Sequence, residues 1–156
     1  MTELLVAIVV VGLGALGAAG LQLASSKNTR SALDGTTALI FARDMAERLR
    51  ANPTAGYLDV SEGSGPPGFV DCLAASCGPP ALESFDVAVW KCSLGRWVND
   101  GACRAARDAG VLPAEERQTG LPMGDGSVTW AADGEFTVSV VWLSPGERRV
   151  TVAGHR

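Results

Sequence analysis

The stretch Glu3-Leu-Leu-Val-Ala-Ile-Val-Val-Val-Gly-Leu-Gly-Ala-Leu-Gly-Ala-Ala-Gly-Leu-Gln22 decides the fold. Leu4 to Leu21 gives eighteen residues without a charge or a strongly polar side chain. As an α-helix the run is about 27 Å long, close to the hydrocarbon thickness of a bilayer. A secretory signal peptide would carry Lys or Arg ahead of it, whereas the first cation is Lys27, on the far side. An ordinary single-pass anchor is the plain alternative. Lys27 and Arg30 lie where the positive-inside bias would place the cytoplasm. The cysteines argue for the opposite side and carry more weight.

Those cysteines are Cys72, Cys77, Cys92 and Cys103, an even number beyond the apolar run, as expected of disulfides in an oxidising compartment such as the periplasm. Four cysteines allow three connectivities, and nearest-neighbour pairing is the expectation. Zinc fits poorly: the spacings do not form knuckles, and the sole histidine is His155. The 156 residues suit one domain plus an appendage, and a net charge of -4 does not give a nucleic-acid footprint.

Glu3 stands at the lip of the apolar helix. A carboxylate carried among packed apolar helices costs roughly 2.5–3.5 kcal/mol unless paired. Glu3 is therefore either a surface charge or half of an ion pair with another subunit. Gly12, Gly14, Gly17 and Gly20 weaken the helix, and they serve either close helix packing or unwinding outside lipid.

Beyond the run, Leu33, Thr37, Phe41, Met45 and Leu49 recur every four residues beside Ile40, an amphipathic stripe. Arg43–Glu47 and Asp44–Arg48 are opposite charges at i,i+4. Asn52-Pro53 ends the helix. About fifty residues of helix, roughly 75 Å, exceed what so small a domain can cover. The expected organisation is residues 1–26 as a transmembrane and assembly half-helix, 27–52 as an amphipathic half, and 53–156 as a disulfide-containing domain ending in strands.

Gly63-Ser-Gly-Pro-Pro-Gly68 reads as irregular chain. Cys72 and Cys77 flank a local loop. Ala81–Leu94 reads as a helix with Leu82, Phe85, Val89 and Cys92 on one face. Cys92 and Cys103 would clip an excursion exposing Arg96, Trp97, Asn99 and Asp100, with Arg96 and Trp97 the candidate contact residues. Residues 105–120 are polar, with room for one short helix. After the turn Gly124-Asp-Gly126 the period becomes two: Val128 and Trp130, then Phe136, Val138, Val140 and Trp142, then Val150 and Val152. Turns at Ala132-Asp-Gly134 and Ser144-Pro-Gly146 make an antiparallel meander with one apolar face, for which the helical stripe is a matching cover. The fold class is α+β.

Two segments carry a resemblance. The quoted Glu3–Gln22 stretch, with its Gly17-Ala-Ala-Gly-Leu-Gln22 end, and Ala42-Arg-Asp-Met-Ala-Glu-Arg-Leu-Arg-Ala-Asn-Pro53 resemble type IV pilins and pseudopilins, most of all the minor pilins of the PilV family. The resemblance covers about the first third of the chain. It implies a structural subunit rather than an enzyme, one that sits in the inner membrane with a periplasmic domain and then enters a surface fibre. The implied role is in a minor-pilin tip complex that primes the major pilin, with a tip adhesin as a further partner, supporting motility and adhesion. Glu3 corresponds to the family's fifth mature residue, thought to neutralise a neighbour's N-terminal amine. Only Met1 and Thr2 precede it here, where the family has four mature residues after a leader ending in glycine. An internal methionine start, a trimmed chain or a misassigned start codon would account for that.

No Ser-His-Asp set, P-loop or Rossmann pattern occurs. Glu115-Glu116 and Asp133-Gly-Glu135 read as solvated faces or turns. Asp125 and Asp133 lack calcium-loop spacing. No cofactor, metal or nucleic acid is called for. The alternatives are a pseudopilin of a type II secretion system and, in another class, a periplasmic binding domain on an ordinary anchor.

Overall fold

The computed structural model describes residues 1–52, 60–114 and 120–155. The element order is α1 (Thr2–Ala51), α2 (Pro79–Leu94), α3 (Gly101–Asp108), β1 (Asp125–Trp130), β2 (Glu135–Leu143) and β3 (Glu147–His155). A long N-terminal helix and a small antiparallel sheet make this an α+β chain, as the periodicities require, in the arrangement that the pilin resemblance implies. Pro53, expected to stop α1, and the Glu115, Glu116, Arg117 cluster lie outside the described residues. Contacts divide the chain into Met1–Asp34 and Gly35–Arg156.

In the second unit the sheet has the order β1-β2-β3, all antiparallel. Register places Val128 opposite Val138, and Val138 opposite Val152. Gly134 and Gly146 turn the chain at φ +86° and +91°, a region that favours glycine. Gly124-Asp-Gly126 is not a free turn as expected. Asp125 opens β1 and is fully buried, because a side chain of α2 neutralises it there.

The main core gathers Ala38, Ala42, Met45, Ala46 and Leu49 of α1, Val87, Trp90 and Leu94 of α2, and the inner sheet face. The expected stripe holds at Met45 and Leu49, with Phe41 packed against the core, but it does not extend to Leu33 or Ile40. Leu33 and Ile40 are each 61% exposed, and three alanines occupy the contact instead. Small side chains let the helix backbone approach the layer beneath, and the Trp90 indole reaches it, donating from Nε1 to the Phe41 carbonyl at 2.9 Å. The sheet yields in the same way. A Cβ on Gly126 would stand 2.4 Å from the Trp90 ring. Arg48 bridges Asp44 and Asp86 at 2.9 and 2.8 Å, tying α1 to α2. Glu47 takes Arg50 rather than the expected Arg43.

Helix α2 begins two residues earlier than the periodicity suggested, at Pro79-Pro80, where proline's missing N–H costs nothing. Phe85, Val89 and Cys92 do share a face with Leu82, and they form a second cluster with Cys103, Ala106 and Leu112. The opposite face enters the main core, so α2 is sandwiched. The short helix arrives earlier than expected, at α3, because Asp100 caps it by accepting from the Ala102 N–H at 2.8 Å.

Candidate functional site

Residues 1–30 are exposed throughout. Eleven large aliphatic side chains between Leu4 and Leu23 stand 59–75% exposed. Leaving them in water forfeits on the order of 10–20 kcal/mol of transfer free energy. That is too much for a solvent-facing surface, so lipid or other protein must cover this helix. It is the one helix among the described residues long and apolar enough to cross a membrane.

Two features sit on that surface. Glu3 lies in the first turn of α1, where the helix dipole favours a carboxylate. The glycines are the second. A Cβ at Gly12, Gly14, Gly17 or Gly20 would meet nothing within 4 Å. Each residue costs roughly 0.8–1.0 kcal/mol relative to alanine, and nothing in the chain itself requires it.

In the second unit the two disulfides are Cys72–Cys77 and Cys92–Cys103, with Cα separations of 5.4 and 5.3 Å. The first closes a loop with exposed Leu73 at its tip, where the Asp71 carboxylate accepts from the Leu73 and Ala74 N–H groups. The second is fully buried and pins α3 to α2.

Next to it lies a polar centre that periodicity did not reveal. Lys91 and Asp125 have fully buried side chains, with Nζ donating to Oδ1 at 2.8 Å. The remaining ammonium hydrogens reach the carbonyls of Ser61 and Ser64 at 2.9 and 3.1 Å. Asp125 also accepts from the N–H groups of Gly63 and Gly126 and from Trp97 Nε1. Burial alone would raise the Asp125 carboxyl, but the Lys91, Gly63, Gly126 and Trp97 hydrogen bonds outweigh it and hold the group below the ordinary carboxylate range. Burial pushes Lys91 the other way, below the usual lysine value, against the pull of Asp125. The arrangement is a filled latch: it fastens the 61–64 loop and the residue 97 excursion to α2 and β1.

The candidate contact residues are part of that latch. Trp97 is half-buried against the second cluster, while Arg96 lies over its ring at 5.2 Å and reaches Asp125 at 3.6 Å. Among the described residues no group of three His, Cys, Asp or Glu is placed to hold a metal. In the sequence Asp125 reads as a turn residue between two glycines, and Lys91 carries no motif. The one cue was a lysine amid the apolar residues of α2, between Trp90 and Cys92.

Residues 20–88 match a family model described as Tt1218-like, type IV pilin Tt1218. The match covers under half of the 156 residues, running from the last glycine of the apolar segment, through the Cys72–Cys77 loop, into α2. It contains the whole Ala42–Pro53 stretch and stops short of Glu3. No curated protein and no solved structure matches the chain.

Proposed function

We propose that this chain is a minor pilin of a type IV pilus, a structural subunit that waits in the inner membrane with a periplasmic domain and is then built into the fibre. The observation that carries the reading is the apolar half of α1. It exposes a membrane-length aliphatic surface with a carboxylate at its lip and glycines that its own chain does not need. One element must serve two apolar surroundings, lipid first and the helices of neighbouring subunits afterwards. The type IV pilin match over residues 20–88 supports this at the level of the pilin subunit. The finer reading is a place in the tip complex that starts polymerisation of the major pilin, with motility and adhesion depending on it. Glu3 then meets a neighbour's N-terminal amine during docking, a contact that offsets the cost of a carboxylate among apolar helices.

The test is to shear surface fibres from the host and identify this chain by mass spectrometry. Recovery in the fibres, with an N-methylated terminal peptide, is the expected result. Recovery only from the membrane fraction, with an unmodified Met1, would overturn the proposal and leave an anchored periplasmic domain.

A further inference from the structure

We infer that the outer edge of β3 is a docking site for an extended segment of another protein, which adds to the sheet as a fourth strand. β3 pairs with β2 on one side, and among the described residues no strand lies on the other. Its nine residues exceed the usual strand of about five or six. All nine are in register with β2, so no bulge breaks the edge. Val150–Gly154 carries neither charge nor proline, and the charges that would blunt an edge stop at Arg149. The opposite edge of the sheet is different: Val60 closes β1 by exchanging both backbone bonds with Val128 at 2.9 Å.

The same two bonds fix which groups point outward. Val128 spends its N–H and C=O on Val60, so its pairing with Val138 is of the non-hydrogen-bonded kind. Val138 then turns both groups to β3, toward Val152. Successive residues of a strand point these groups to opposite sides, so Arg149, Thr151 and Ala153 present theirs at the open edge. An extended backbone is the occupant that such a row selects. Arg148, Val150 and Val152 share the inner face of the edge. The valines are only partly buried, and Arg148 has no ion pair among the described residues. The segment that fits has apolar residues opposite the valines and a carboxylate near Arg148. A second copy of this chain does not supply it. Two β3 strands paired about a two-fold axis would run their α1 helices in opposite directions, whereas subunits of the proposed fibre point one way, a step that rests on that reading. A copy pointing the same way offers the β1 edge, which Val60 occupies.

The experiment places the photoreactive residue benzoylphenylalanine at the exposed position of Thr151 in the full chain, irradiates the host cells and sequences the adduct by mass spectrometry. The expected adduct is one segment of another protein, with alternating apolar residues and an acidic residue. Ala153→Pro removes one outward donor and leaves the bonds to β2 in place, at an edge position where proline is tolerated. It should cut the adduct about tenfold while the urea midpoint of the second unit, read by tryptophan fluorescence, stays put. Arg148→Glu leaves the backbone alone and should cut the adduct about threefold or more by setting like charges together. No adduct, adducts scattered over many proteins, or a yield that either variant leaves unchanged overturns the inference. An adduct joining two β3 strands overturns it too, and with the chain missing from sheared fibres it overturns the pilus reading as well. Recovery in fibres with an unlabelled edge fails the inference alone.

Discussion

Replacing Lys91 with methionine keeps an unbranched apolar stem out to Cε, with sulfur in place of Cδ, and removes the ammonium. Asp125 would then be a fully buried carboxylate with its countercharge gone and Arg96, at 3.6 Å, the nearest cation. Three N–H donors still face it, from Gly63, Gly126 and Trp97, so the carboxylate is not bare. Breaking one side of a buried pair typically costs about 3–5 kcal/mol. Protonating Asp125 instead, from an ordinary value near 4, costs about 4 kcal/mol at pH 7, so neither escape is cheap. For a unit of this size that is a fall in Tm of more than about 10 °C. All four tryptophans lie in α2 or beyond it, so intrinsic fluorescence in urea reads this unit and not the apolar helix. Lys91→Met/Asp125→Asn removes both charges and leaves an amide to serve the loop carbonyls. It should recover at least half of the loss, with a coupling of about 2 kcal/mol or more in the double-mutant cycle. A Lys91→Met loss under about 1 kcal/mol, or a double variant no better than the single, would refute the latch.

The same centre sets an acid limit. Because the folded Asp125 pKa lies below the ordinary 3.8, its stabilising contribution is complete above that value and is lost as pH falls through the folded one. Asp125→Asn should flatten this part of the acid unfolding curve. Losing the Cys92–Cys103 bridge should cost about 3 kcal/mol by loop entropy, against about 2 for Cys72–Cys77, the difference following from closures of 11 and 5 residues; paired Cys→Ala variants melted side by side give the order. Gly126→Ala drives a methyl into the Trp90 ring and should cost about 1–3 kcal/mol in urea unfolding. Gly17→Ala meets nothing, so the unfolding curve of the second unit should not move, and reduced recovery in sheared fibres would locate the glycine's role in a neighbour. Glu3→Ala should insert in the membrane normally yet be missing from fibres, and equal recovery of variant and wild type would count against the docking role.

Elements whose support is local were legible in the chain. The apolar run needs no partner to be recognised, and strands with period two announce their inner face one by one, as Phe136, Val138 and Val140 do. Hairpins with glycine at positive φ fix which strand follows which. Nearest-neighbour cysteines pair because each spacing closes a short loop. The helix face that packs was less legible. Leu33 and Ile40 outrank alanine on any hydrophobic scale, yet close approach favours the small residues at 38, 42 and 46.

By itself the sequence determined that one long helix begins apolar on all sides and ends amphipathic, and that three strands follow in order. It also placed Glu3 at the lip of that helix and four glycines along it. Only the tertiary structure decided that α2 is buried on two faces, that Gly126 yields its place to Trp90, and that Lys91 meets Asp125 across 34 residues of chain. The physical reason is that secondary structure is encoded in spacings of two to four residues, while a buried charge is tolerable only beside a partner that folding alone brings near.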